Sequence, residues 1–239
     1  MSQKRAPSCE TLLKIREAVG TPYYLYDEAE IIRRARSLNR AFAWNPGYRE
    51  FFAVKANPNP YILETLKKEG CGVDCASYTE LMLSHAVGFT GGEIMFSSNE
   101  TPANEYELAR SLGATVNLDD VSHIDFLRAH GGIPDHICLR YNPGDGVTAS
   151  NFVMGHPGES KFGMTRDQIF ESVRRLTALG VKRFALHSFL VSNATDNEYY
   201  PSMARMLFRL ALSIYEQTGA VVDMVNLSGG VGIPYHPED

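Results

Sequence analysis

Short apolar segments alternate with longer amphipathic segments along almost the whole chain. The apolar segments are only a few residues long, which is typical of buried strands. The predicted strands are Tyr23–Tyr26, Phe51–Lys55, Val73–Ser77, Glu93–Phe96, Thr115–Leu118, His136–Tyr141, Phe184–His187 and Asp223–Leu227. The longer segments have the apolar spacing of amphipathic helices. The predicted helices are Glu10–Val19, Glu28–Ala43, Pro60–Glu69, Tyr78–Val87, Ala103–Leu112, Val121–His130, Arg166–Leu179 and Tyr200–Thr218.

Residues at the ends of these segments support the predicted helices. Asp27 precedes Glu28, and Glu30 follows three residues after Asp27, which is an Asp-headed version of the capping box. A glycine follows five of the helices, at a place where a left-handed residue ends the last turn at least steric cost. These glycines are Gly20, Gly70, Gly88, Gly113 and Gly180.

The alternation predicts parallel strands joined by right-handed helical crossovers. A doubly wound open sheet and a β/α barrel both satisfy this pattern. Without Tyr23–Tyr26, seven strands follow one another in a regular rhythm, whereas a complete barrel needs eight. Asn142–Thr165 is rich in Gly, Pro, Ser and Asn, and we expect it to be a long, mobile loop.

Composition and charge exclude several classes of protein. The 239 residues are 44% hydrophobic and 21% charged, as in globular rather than disordered chains. A formal net charge of −5 offers no basic surface for nucleic acid. No apolar run approaches the ~20 residues that span a bilayer. The first 20 residues also lack the apolar stretch of a signal peptide, so we expect a cytoplasmic protein that does not bind membranes.

The four cysteines do not indicate a disulfide scaffold in a chain of this length. Cys71 and Cys75 form a C-x3-C pair with no matching Cys or His pair downstream. This spacing favours buried or half-buried thiols over a metal site, and we expect no metal.

Lys55 ends a strongly apolar predicted strand. In a β/α barrel the carboxyl ends of the strands form the active face. A lysine there would be partly desolvated, which favours a neutral, nucleophilic amine that can form a Schiff base with an aldehyde. The alternative is a lysine that extends its charge from a strand end into solvent.

A glycine-rich segment, Leu227–Ile233, follows the last predicted strand. Clustered glycines let backbone N–H groups approach an anion closely, although a flexible turn is the alternative. No Gly-Lys-Ser/Thr follows, so the segment is not a nucleotide-binding P-loop. A reactive lysine near the start and an anion-binding loop near the end suit a phosphate-bearing aldehyde such as pyridoxal phosphate.

Six motifs, in order along the chain, resemble the alanine-racemase-like, fold-type III pyridoxal-phosphate enzymes, and most closely the diaminopimelate decarboxylases. The motifs are Thr21–Asp27, Phe52–Asn57, Gly72–Leu81, Leu139–Gly144, Ser160–Gly163 and Asn226–Tyr235. The resemblance implies that residues 1–239 form a parallel β/α (TIM-type) barrel domain that binds pyridoxal 5'-phosphate.

The resemblance also implies roles for individual residues. Lys55 would be the catalytic residue, forming the Schiff base and then donating or accepting a proton. The implied cofactor-binding residues are Lys55, Asp74, Arg140, Phe189, Ser192, Gly229 and Gly230. Ser77 and Glu80 either support the cofactor or cap the following helix. For Arg140 the alternative is a structural ion pair.

The implied activity is decarboxylation of meso-2,6-diaminopimelate to L-lysine, the last step of lysine biosynthesis, by a longer homodimeric enzyme. Loss of carbon dioxide leaves a carbanion whose electrons the cofactor absorbs. One alternative is a non-catalytic barrel that binds pyridoxal phosphate. Another is an arginine, ornithine or carboxynorspermidine decarboxylase. The segments Thr21–Asp27 and Ser160–Gly163 resemble the decarboxylases more than they resemble the alanine racemases.

The chain departs from the family pattern at three places. Phe189 and Val191 stand where the family has a stacking histidine and a glycine, while Ser192 is kept and His187 matches an earlier position. Ser228 replaces the first glycine of the phosphate loop, and a positive φ there would strain the loop. The family's eighth-strand Glu-Pro-Gly-Arg motif and its following β-domain do not occur within the 239 residues. We therefore expect seven of eight strands and a fragment that is inactive alone.

Overall fold

Seven short strands pair into one parallel sheet, in the same order in space as in sequence. The computed structural model describes residues 7–144, 160–195 and 198–234. The strands are β1 (Phe51–Ala53), β2 (Gly72–Cys75), β3 (Ile94–Ser97), β4 (Thr115–Leu118), β5 (His136–Arg140), β6 (Arg183–His187) and β7 (Val221–Asn226). The prediction of parallel strands alternating with helices is confirmed.

Eight helices flank or connect the strands in the described residues. They are α1 (Cys9–Val19), α2 (Glu28–Ala41), α3 (Pro60–Lys68), α4 (Tyr78–Ala86), α5 (Ala103–Ser111), α6 (His123–His130), α7 (Arg166–Ala178) and α8 (Tyr199–Thr218). All five glycines predicted to end helices have a positive φ. Asp27 caps α2 by accepting the Glu30 N–H, but the Glu30 carboxylate turns to Arg33 and Arg34, so the predicted capping box is only half formed.

The sheet curls so that its first and last strands face one interior. Met95, Cys138 and Ala185 are fully buried and pack with Phe51 of β1 and Met224 of β7. A layer of side chains contributed largely by alternate strands is characteristic of a β/α barrel interior. The barrel-type alternative is therefore confirmed over the open sheet, as a curled sheet of seven described strands. A second and larger core packs the outer side of the sheet against the helices.

Two differences between the predicted and the observed strands matter for the fold and the site. Tyr23–Tyr26 is not a strand, because it has no sheet partner and the side chains of Tyr24, Leu25 and Tyr26 are exposed. The segment predicted as Phe51–Lys55 leaves the sheet after Ala53, and Val54–Ala56 forms a 3-10 turn. The second difference changes how Lys55 is presented.

The two ends of Asn142–Thr165 lie side by side. The Asn142 N–H donates to the Met164 carbonyl, and the Met164 N–H donates to the Arg140 carbonyl. Residues 145–159, the larger part of this predicted loop, lie outside the described residues.

Cys71 and Cys75 are free, buried thiols as predicted. Among the described helices, none combines the length and apolar character needed to cross a membrane.

Candidate functional site

Lys55 lies just beyond the carboxyl end of β1. Its 3-10 turn is anchored by the fully buried Val54, and the turn carries the Lys55 side chain out past the sheet. The amine is 5.9 Å from the ring centroid of Phe189, which follows β6 by two residues. Lys55 is exposed, so the expectation of a partly desolvated lysine is wrong: the turn lifts the side chain out of the strand.

A chain of polar side chains crosses the interior beside Lys55. Asn117 Nδ2 is hydrogen-bonded to His187 Nδ1 over 2.8 Å and donates to Ser97 Oγ over 3.4 Å. The Ser97 hydroxyl in turn hydrogen-bonds Asp74. One amide NH2 group has two protons, so it can serve both partners. The imidazole is neutral, because burial and the charge of Arg140 both disfavour its protonated form.

Burial shifts the pKa at both ends of this polar chain. Desolvation raises the pKa of Asp74 to about 6, although the bond from Ser97 and the nearby charge of Lys55 act in the opposite direction. Desolvation, followed by the charge of Arg140, lowers the pKa of His187 to about 3. Asp74 is therefore poised to change charge near neutral pH, whereas His187 stays neutral.

The buried His187 should make the protein acid-sensitive. Below about pH 6.5 the unfolded chain binds a proton that the folded chain excludes, so stability falls as the pH falls towards about 3. In His187→Gln this loss disappears. The difference between the unfolding free energies of wild type and variant should change by about 1.5 kcal/mol between pH 6.5 and pH 5, measured by urea unfolding.

The matched control for this prediction is His85→Gln, which removes an exposed histidine from α4. Its unfolding free energy should follow that of the wild type across the same pH range. Asp74 is present in all three proteins and cancels in the comparison. If His187→Gln also runs parallel to the wild type, the buried, neutral state of His187 is incorrect.

Arg140 ends β5 and is held by contacts from three directions. Its Nη1 donates to Asp119 Oδ1 over 2.7 Å and to Asn99 Oδ1 over 3.3 Å. Its guanidinium carbon lies 5.1 Å from the centroid of the Phe162 ring. Asp119, immediately after β4, is a residue that the sequence analysis missed, because a single carboxylate at a strand end has no distinguishing sequence pattern.

The glycine-rich segment after β7 is bonded to the segment after β6. Ala194 N–H donates to the Gly230 carbonyl, and Gly232 N–H donates to the Ala194 carbonyl, both in short bonds. A Cβ on Gly230 would lie 2.4 Å from the Val191 carbonyl oxygen and 3.4 Å from Ser192 Cα. Glycine is therefore needed at 230 for close approach, and Ser192 lies directly beside the loop.

Two backbone donors of this loop are available. The N–H groups of Gly229 and Gly230 donate to no other group among the described residues. A Cβ on Gly229 would meet nothing within 4 Å, so the space beside this residue is open. Free N–H groups beside open space are what an oxyanion requires.

Ser228 has the positive φ that the sequence analysis identified as a source of strain, at 62°. Its N–H donates to Asn226 Oδ1 over 2.7 Å, in a side-chain turn that holds this conformation.

Ser77 and Glu80 cap the helix α4, which is one of the two roles that the sequence left open for them. The Ser77 side chain accepts the Glu80 N–H, and the Glu80 carboxylate accepts the Ala76 N–H.

The predicted site residues all lie at one edge of the sheet. The Lys55 amine faces Phe189, and the loop that carries Phe189 and Ser192 contacts Gly230. Asp74 and Arg140 reach the same edge from β2 and β5. The parallel direction of the strands explains this shared location, because the carboxyl ends of parallel strands lie at one face.

Comparison with known proteins gives relatives over nearly the whole chain. Protein TabA from Pseudomonas amygdali pv. tabaci is 36% identical over 219 residues, covering 92% of this chain and 51% of the relative. Diaminopimelate decarboxylase from Methanothermobacter thermautotrophicus is 30% identical over 230 residues, covering 95% and 53%. The chain thus spans about half the length of the curated relatives it matches.

A solved structure and a family match agree with these relatives. The crystal structure of diaminopimelate decarboxylase from Helicobacter pylori complexed with L-lysine has a TM-score of 0.80 at 26% identity, covering 95% of this chain and 59% of that one. Residues 28–239 match the family described as pyridoxal-dependent decarboxylase, pyridoxal binding domain. This family's cofactor is the pyridoxal phosphate that the sequence predicts. With most of its length inside that match, the chain belongs to the pyridoxal-binding domain family of the pyridoxal-dependent decarboxylases.

Proposed function

We propose that this chain is the cofactor-binding barrel of a pyridoxal-phosphate-dependent amino-acid decarboxylase. The observation that carries the proposal is the juxtaposition at one sheet edge of the Lys55 amine and the glycine loop, joined through the segment that follows β6. An amine and an anion-binding backbone are what a phosphate-bearing aldehyde needs. Membership of the family supports the same cofactor.

The residues present fit pyridoxal phosphate. The free N–H groups of Gly229 and Gly230 would hold the phosphate, with Ser192 beside them. Lys55 would capture the aldehyde, and Phe189 would lie against the ring. Asp74 and Arg140 supply one carboxyl group and one guanidinium at the same edge.

When bound, the cofactor supplies an electron sink for the carbanion that loss of carbon dioxide leaves. The chain's own residues bind, orient and transfer protons. The exposed Lys55 amine would serve both as the group that captures the aldehyde and as the group that transfers the proton. Phe189 offers an apolar face that stacks but cannot donate a hydrogen bond, so proton transfer would fall to Lys55.

For the longer enzyme we propose decarboxylation of meso-2,6-diaminopimelate to L-lysine, the last step of lysine biosynthesis. Relatives named diaminopimelate decarboxylase, and the structure of one with L-lysine, support this substrate. Decarboxylation of a different amino acid is the second candidate, because the 36% identical relative, Protein TabA, does not carry the name diaminopimelate decarboxylase. We also propose a cytoplasmic homodimer, on the family resemblance.

The proposal is tested by titrating the chain with pyridoxal phosphate. We expect a new absorbance band that borohydride fixes, with the label on the peptide containing Lys55. Pyridoxal without the phosphate is the matched ligand, and it should bind at least about tenfold more weakly if the glycine loop holds the anion. Equal binding of both ligands would contradict the phosphate role of the loop.

The substrate is tested with the longer enzyme. Carbon dioxide release from meso-diaminopimelate, compared with release from ornithine and arginine, separates the candidate decarboxylases. A longer enzyme that binds the cofactor through Lys55 but releases no carbon dioxide from any amino acid would leave the non-catalytic binding barrel as the answer.

A further inference from the structure

Asp119 bridges two parts of the site through its two carboxylate oxygens. Oδ1 accepts from Arg140 Nη1 over 2.7 Å, and Oδ2 accepts the Gly163 N–H over 3.2 Å. Asp119 and Arg140 are each only 7% exposed. A charge-assisted bond between buried groups fixes the position of the guanidinium more firmly than a surface ion pair does.

The segment held by Asp119 closes against the other side of Arg140. The Phe162 ring lies against the guanidinium, and the Met164 N–H donates to the Arg140 carbonyl. Gly163 has φ +80°, and a Cβ there would come within 3.3 Å of Arg140 Cγ and of its carbonyl oxygen. Arg140 therefore lies between Asp119 and the Phe162–Met164 segment, and the Asp119 carboxylate is bonded both to Arg140 and to that segment.

The charge of Arg140 acts on the site. Arg140 contributes to the lowered pKa of His187, and it is the last of the causes that oppose the raised pKa of Asp74. A displaced guanidinium would therefore change the electrostatic field at the edge where Lys55 lies. Among the described residues, Asp119 makes no hydrogen bond to Lys55 or to the glycine loop.

We propose that Asp119 is a positioning residue, which fixes the position of Arg140 and compensates its charge for cofactor binding without touching the cofactor. The inference rests on the proposed function and adds a residue to it. The alternative is that the pair only stabilises the fold, in which case its loss lowers stability and leaves the bound cofactor's properties unchanged.

The test compares Asp119→Asn, Arg140→Gln and the double variant in the full chain. Asp119→Asn should weaken pyridoxal phosphate binding roughly ten- to a hundredfold, the range found for residues that orient metal ligands. If Asp119 acts through Arg140, the double variant should bind no more weakly than Arg140→Gln alone. Additive losses in the double variant would overturn the proposal.

A spectroscopic readout separates positioning from stability. In Asp119→Asn the charge of Arg140 is uncompensated and disfavours a protonated Lys55 adduct. The pH midpoint of the adduct's absorbance change should therefore fall by about half a pH unit or more, and should rise in Arg140→Gln. A purely structural pair would lower the melting temperature and leave both midpoints in place, which would also overturn the proposal.

Two further variants keep the test decisive. Asp119→Glu retains the charge, so it avoids an unpaired buried guanidinium if Asp119→Asn fails to fold, and it should still weaken binding because its carboxylate is displaced by one methylene. Asp125→Asn is the matched control, because it breaks an exposed ion pair with Arg175 between α6 and α7 and should leave binding unchanged. Wild-type affinity in folded Asp119→Glu and Asp119→Asn refutes the positioning role. A wild-type chain that forms no reducible adduct refutes the proposed function instead, and this inference with it.

Discussion

Lys55→Ala is expected to abolish borohydride-fixed incorporation of pyridoxal phosphate, because no other amine is described beside Phe189 at this edge of the sheet. In the longer enzyme, turnover should fall on the order of 10³-fold or more, as for other groups that form the covalent bond to the reacting molecule. Folding should be unaffected, since the Lys55 side chain is exposed and removes no core contact. Mass spectrometry of the reduced protein and carbon dioxide release measure the two effects.

The matched control for this variant is Lys182→Ala. Lys182 is also exposed, but it precedes β6 and therefore lies at the opposite, amino edge of the sheet. It should incorporate the cofactor like the wild type. If Lys55→Ala is labelled as fully as Lys182→Ala, another group captures the aldehyde and the role of Lys55 is wrong.

Gly230→Ala should lower the free energy of unfolding by about 2–4 kcal/mol and should distort the phosphate loop. A methyl group there would lie 2.4 Å from the Val191 carbonyl oxygen, and the residue has φ +87°. The backbone conformation alone costs an L-residue about 1–2 kcal/mol, and relief of the clash requires the two loops to separate. Urea unfolding measures the loss, and a cofactor titration at low temperature should show weakened binding of the folded fraction.

Gly229→Ala is the neighbouring comparison for this result. A Cβ at 229 meets nothing within 4 Å and no positive φ is required there, so stability should stay within about 1 kcal/mol of the wild type. Equal unfolding free energies for the two alanine variants would mean that the close contact between the loops does not form.

The order of strands and helices could be predicted from the sequence because each strand and each helix carries its own apolar pattern. Thr115–Leu118 agrees with the observed β4 at both ends, and most other elements agree within two residues. Tyr23–Tyr26 failed because local composition cannot show whether a strand partner exists. Phe51–Lys55 failed at its end because the 3-10 turn depends on the burial of Val54 rather than on any residue pattern.

The candidate site was predictable only where a motif marked it. Lys55 and the glycines stand in recognisable segments, so their shared edge followed from the parallel strand order. Asp119, Ser97 and Asn117 had no such mark, because a short polar side chain at a strand end is common and its partners lie up to 70 residues away. For Ser77 and Glu80, the choice between capping and cofactor support required their actual hydrogen-bond partners.

The bonded pair of loops after β6 and β7 limits how the barrel can be recombined with its relatives. The Ala194 and Gly230 backbones interlock, and Val191 leaves room for no side chain at 230. A hybrid that imports only one of these loops from another decarboxylase would join two surfaces shaped for different neighbours. A hybrid should therefore fold stably and bind the cofactor when both loops are exchanged together, and should lose stability when either loop is exchanged alone.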